Sequence, residues 1–195
     1  MVRKICLFLL RWVIVRIFIA LVIVVVGGYF VVKLQRVEDD GNRRNQSLDT
    51  IRSADMSYYY HLYEDSLQEL TTAYDIASTI SDENKKLDIY GHILTRKGSC
   101  EIQIAIGSYS EVNISRAIKY SNEGLALVNP DNFPALFGRL LFNLASAYHV
   151  RFENLGEQSD RENSIKFYRE SLNYFPQDSS LYQDASNRIG WLEGY

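Results

Sequence analysis

Three histidines, two cysteines and a few serine-bearing turns are the residues whose types could carry out chemistry, and their spacing decides whether they do. His61, His92 and His149 are scattered, form no H-E-x-x-H signature and have no carboxylate at ligand spacing, so no metal site is expected. Cys6 and Cys100 form neither a C-x-x-C nor a zinc pattern, and they imply no disulfide framework. "KGSC" from Lys97 and "IGSYS" from Ile106 fall short of a G-x-S-x-G nucleophile elbow, and no strand precedes either. A phosphate-binding glycine loop and a dinucleotide fingerprint are both missing. An enzyme is therefore not expected, nor a cofactor, nor a small-molecule substrate.

The elements that would position any site divide the chain unevenly. The first 36 residues hold no Asp or Glu, whereas all 24 acidic residues and 15 of the 21 Lys and Arg follow Arg36, leaving −9 on that part. An acidic body argues against nucleic acid as a partner, because phosphate binding needs a positive surface. The head contains the apolar run "IFIALVIVVVGGYFVV" (Ile17–Val32), slightly short of the roughly 20 residues a bilayer requires. Extending it back to Trp12 gives the length if Arg16 reaches the headgroups, with Trp12 and Tyr29 near the two interfaces. The expectation is a single-pass membrane protein with an N-terminal signal anchor over residues 1–36. A cleaved signal peptide and a buried core helix are the alternatives; apolar residues running on through Val32 without an A-x-A site disfavour cleavage. Basic residues flank the run almost equally, tilting only slightly towards a cytoplasmic N-terminus.

Residues 37–47, "VEDDGNRRNQS", read as a polar juxtamembrane linker. Beyond them the pattern is helical and repeats. "AIKYSNEGL" (Ala117–Leu125) returns as "SIKFYRESL" (Ser164–Leu172) at an offset of 47 residues. In the later copy Ile165, Tyr168, Leu172 and Phe175 share one helix face, as Ile118, Ser121, Leu125 and Val128 do in the earlier one. A worn third copy, "SLQELTTAY", puts Leu67, Leu70, Tyr74 and Ala77 at the same spacing. Further helices are expected at about 86–106 and 133–152, the latter opening on Pro134, which suits a first turn. The unit is thus helix, turn, helix, and such pairs bury their apolar faces only by stacking. In the tail, Leu181, Ala185, Ile189 and Leu192 fall on one face of a final capping helix over 177–195.

The residues of these units resemble the tetratricopeptide (TPR) family. Leu141, Leu144, Ala145 and Tyr148 occupy the signature places of its first helix, and Ser164, Tyr168, Ser171 and Pro176 those of its second. The preceding unit keeps Gly98, Ala117, Gly124 and, one residue late, Pro130. The period is longer than the family's usual 34 residues, with the surplus placed partly in "ENLGEQSDREN". The expected fold is all-α: one N-terminal transmembrane helix, a short α-solenoid of two to three TPR-like pairs over 48–176, and the capping helix.

The resemblance implies a scaffold or adaptor that presents a helical groove to a protein or peptide partner. The alternative is a structural accessory subunit of a membrane protein complex, held by its convex face and its anchor. In the family the first helix of each pair lines the concave face, which places His92, Thr95, Ser99 and Gln103, then Arg139, Phe142, Ser146 and His149, in the groove. The set is mostly polar with one exposed aromatic, Phe142, a mixture suited to binding through a few anchors. The cluster "SYYYHLY" (Ser57–Tyr63) has two readings, aromatic packing of the first helix or a contact for a partner or bilayer, and packing is favoured.

Overall fold

A computed structural model describes residues 2–194, with side chains described at Val22 and from Val24 onward. The described residues form seven α-helices, one 3-10 turn and no strand. The helices are α1 Val2–Tyr59, α2 Tyr63–Ser78, α3 Glu83–Ser108, α4 Glu111–Leu127, α5 Pro134–Leu155, α6 Gln158–Ser171 and α7 Ser180–Glu193; the 3-10 turn is Leu172–Tyr174. They fall into two compact units, residues 1–42 and 43–195.

The first unit is the leading part of α1, and it corrects two expectations. Among the described residues no helix is long and apolar enough to cross a membrane, which overturns the expected transmembrane helix and with it the single-pass membrane localisation. Much of the Trp12–Val32 run lies outside the residues whose side chains are described. Its described remainder, Val24–Val32, is less than half of the ~20 residues a span requires. Lys33, Arg36, Glu38, Asp39 and Asp40 then follow within the same helix. Residues 37–47, expected as a linker, are also helical and carry α1 onward. Charged residues on a helix surface cost little, and the one glycine there, Gly41, costs about 1 kcal/mol.

The second unit is built from consecutive helix pairs. The end of α1 packs on α2, α3 on α4 and α5 on α6, and α7 closes against α6. Each pair crosses where both helices are small. Ser66 Oγ of α2 donates to the carbonyl of Ala54 at 2.9 Å, and Ser164 Oγ of α6 donates to that of Ala145, also at 2.9 Å. In the middle pair Gly98 takes the equivalent place, where an added Cβ would lie 3.8 Å from the Ala117 carbonyl oxygen. Each small residue lets two backbones approach, and the apolar stripes then meet on either side. Ile51, Leu70, Ile80, Ile89 and Ile93 fill the first core, and Ala145, Tyr168, Ala185 and Leu192 the last.

Local chemistry fixes the helix ends. Asp82 caps α3 by accepting from the backbone N–H groups of Asn84 and Lys85 at 3.1 and 3.3 Å, and Ser179 caps α7 through Tyr182 N–H at 3.2 Å. Pro134 opens α5 in its first turn, and Gly156 closes it in a left-handed conformation (φ 71°). "ENLGEQSDREN", expected to hold part of the surplus as extra turns or loop, is helical apart from Gly156 and Glu157, so the extra turns are helical ones.

Candidate functional site

Along the first helices of successive pairs runs a cleft of about 1190 Å³. Its walls come from the end of α1 and the turn after it, from the start of α2, from α3, from α5 and from α7. Six of the residues assigned to a groove from the sequence line it: Thr95, Ser99, Gln103, Arg139, Phe142 and Ser146. His92 and His149 do not. His92 sits beside Asp88 of its own helix (3.6 Å), and burial pushes its pKa below the ordinary value. His149 is buried beneath Trp191 of α7, whose ring lies tilted over it at 4.9 Å between centroids, with Tyr168 edge-on at 6.2 Å. Neither ring nitrogen has a hydrogen-bond partner, and Glu153 Oε1 is 3.7 Å from Nε2. Burial, reinforced by the Arg188 charge, pushes its pKa down to about 4, so the ring is neutral at pH 7.

Phe142 differs from its expected role as an exposed anchor. It is half-buried, edge-on to Tyr168 at 5.3 Å and to Phe175 at 6.4 Å, with the Arg188 guanidinium 5.9 Å above its ring. The reason is α7, which brings Arg188 against the face that a shorter array would leave open.

The polar floor is largely self-satisfied. Asn143 donates to the Thr95 carbonyl at 2.7 Å and accepts from Ser99 Oγ at 3.2 Å, tying α5 to α3. Ser146 Oγ and the Tyr168 hydroxyl are 3.0 Å apart, and Arg188 donates to that hydroxyl at 3.4 Å. Of the arginines, Arg96 grips both carboxylate oxygens of Asp55 at 2.5 and 2.8 Å, and Arg188 holds Asp184 at 2.9 Å. Arg139 is exposed and has no ion-pair partner among the described residues. It is therefore the cation in the cleft that can take an anion without breaking an existing pair.

Sequence reasoning missed several of these walls. Asp184 and Arg188 interleave with the buried stripe of the tail helix, so the groove rule applied to 177–195 would have found them. The tyrosine cluster falls at a turn rather than within a helix. Tyr58 and Tyr63 pack on the first core, edge to face at 5.3 Å, whereas Tyr59 and Tyr60 are 74 % and 62 % exposed at the rim of the cleft. His61 turns the chain in a left-handed conformation (φ 62°). Its N–H donates to the Tyr58 carbonyl at 3.0 Å and that of Leu62 to Ser57 at 2.9 Å, a Schellman closure.

Burial pushes the Cys100 thiol up to about 11, and Sγ lies 3.3 Å from Ser66 Oγ, so it stays a protonated, packed side chain. Glu101 is buried between α3 and α4, where Asn113 Nδ2 donates to it at 2.5 Å. No group of metal-binding side chains occurs among the described residues. The chain matches no family model, no curated protein and no solved structure.

Proposed function

We propose that residues 43–195 are a TPR-like interaction module, a scaffold or adaptor that takes a segment of a protein partner in the cleft. The reading rests on one observation: Arg139 stands exposed and unpaired in a cleft whose other arginines are each held by a carboxylate. Carrying an uncompensated cation among saturated polar groups is what an interface does when its partner supplies the counter-charge. The α3–α5 floor supports the reading further, since Asn143 reaches from α5 to the Thr95 carbonyl and the Ser99 hydroxyl of α3 and fixes those two walls relative to each other.

Replacing Arg139 with Glu tests the reading, because an exposed side chain can be reversed without disturbing the core. Partner capture should fall by about tenfold or more while the helical signal and melting temperature stay unchanged. Undiminished capture by a folded R139E protein would place binding elsewhere. Phe142 is unsuitable for this test, since truncating it would open the packing around Tyr168 and Phe175.

A further inference from the structure

We infer that α7 is an acid-released lid: protonation of His149 drives Trp191 off its ring and lifts α7 from α5, baring part of the groove that the helix covers at neutral pH. The inference stands on how His149 is enclosed and does not depend on the interaction-module reading. His149 lies well inside α5, so the ring cannot leave with its own backbone. Trp191 covers it from α7, Tyr168 meets it edge-on from α6, and neither ring nitrogen has a hydrogen-bond partner. A neutral imidazole tolerates that enclosure; an imidazolium, with two unbonded donors and a charge away from water, does not. Burial first, then the Arg188 charge, hold the pKa down to about 4. Against the ordinary 6.5, the docked helix therefore prefers the neutral ring by about 300-fold.

The charges around the ring favour release once it is protonated. Glu153, one turn along α5 and 3.7 Å from Nε2, is a counter-charge that stays with the ring when α7 leaves. On α7, Asp184 attracts the imidazolium, but it is already bound to Arg188 at 2.9 Å, and Arg188 repels. Tyr168 on α6 stays protonated, because burial raises its pKa, and adds no charge. Release thus removes the repelling cation and keeps the attracting carboxylate. The helix that must move is also the one held least. α7 closes the stack and has a neighbour on one side only. Beyond buried Ala185 and Leu192, its C-terminal end is held by Arg161 donating to the Leu192 carbonyl at 2.7 Å and by an exposed Arg169–Glu193 pair, worth little. Acid does not load the middle pair in the same way. The His92 side chain is 40 % exposed and titrates without displacing a helix, and burial raises the Glu101 pKa, so protonation relieves the α3–α4 contact. Lifting α7 takes Leu181, Asp184 and Arg188 out of the cleft wall and uncovers Phe142.

Hydrogen exchange of the full chain, read by mass spectrometry at pH 7.0 and pH 4.5 and corrected for intrinsic rates, tests the lid. An undocked helix of 14 residues is marginal in water, so its amides exchange once it lifts. Protection of α7 should fall on the order of 100-fold at pH 4.5 while that of α3 and α4 holds. His149→Phe should abolish the α7 loss, and Glu193→Gln, which removes the other acid-sensitive tie to α6, should leave it in place. The His149 ring signal in proton NMR should titrate over the same interval in which α7 opens. His149→Gln, likewise without a titrating ring, replaces the phenylalanine variant if that melts early. Equal loss of protection in all helices from α3 to α7 would reduce the effect to global destabilisation and overturn the inference. Full α7 protection at pH 4.5, or a loss that persists without His149, overturns it as well.

Discussion

At the residue scale the most consequential side chain is His149, which the fold buries without giving either ring nitrogen a partner. Its folded pKa of about 4 lies below the ordinary 6.5. Between those values the unfolded chain binds the extra proton and the folded chain does not, so stability is complete above pH 6.5 and declines as pH falls towards 4. The loss should reach about 3 kcal/mol from this group, then level off. Chemical denaturation at pH 7 and pH 4 should show it, and His149→Phe, which keeps a ring beneath Trp191, should flatten that part of the profile. Equal pH dependence in both proteins would contradict the burial argument. Tyr109 gives a second prediction. It is 77 % exposed and closes α3 in a left-handed conformation (φ 52°), its N–H bonded to Ala105 O at 2.7 Å. Such a conformation costs a non-glycine residue about 1 kcal/mol. Tyr109→Gly should raise the melting temperature by a few degrees, roughly 2–4 °C; a fall would mean that the ring makes a contact worth more than the strain.

At the element scale, glycines distinguish helices that need close approach from those that do not. A Cβ on Gly138 of α5 would lie 2.6 Å from Tyr174 Cβ, an atom fixed near the backbone of the 3-10 turn. A Cβ on Gly190 of α7 would meet nothing within 4 Å. Alanine in either helix gains up to about 1 kcal/mol of propensity. Gly190→Ala should therefore stabilise, whereas Gly138→Ala should destabilise by about 1–3 kcal/mol through overpacking. Thermal melts of the two variants, measured side by side, check the opposite signs. Much of this scale was legible from sequence, because apolar stripes at i, i+3 and i+7 locate α2, α4 and α6, one at i, i+4 and i+8 locates α7, and Pro134 marks the start of α5. The first helix of the first pair was not legible. Residues 43–59 supply it, yet their first turn falls within the polar stretch 37–47, which reads as a linker, since charge along a solvated helix leaves no periodic signal.

For the 43–195 unit as a whole, the organising fact is a crossing repeated three times: Ala54 with Ser66, Gly98 with Ala117, Ala145 with Ser164. The second helices of these crossings are the copies seen in the sequence, at Ser66, Ala117 and Ser164. The cleft was only half legible. The groove rule names residues on α3 and α5, but what α7 does to that surface depends on packing between elements distant in the chain. That packing buries His149 and half-buries Phe142, and it adds Arg188 to the wall. The central claim is that partners meet this cleft rather than the outer helices. Photocrosslinking in cells addresses it directly, with the reactive group placed at Arg139 in the cleft or at exposed Lys119 on α4 outside it. A crosslinked partner from position 139 and none from position 119 is the predicted result. Crosslinks from position 119 alone would contradict the account and assign recognition to the outer face.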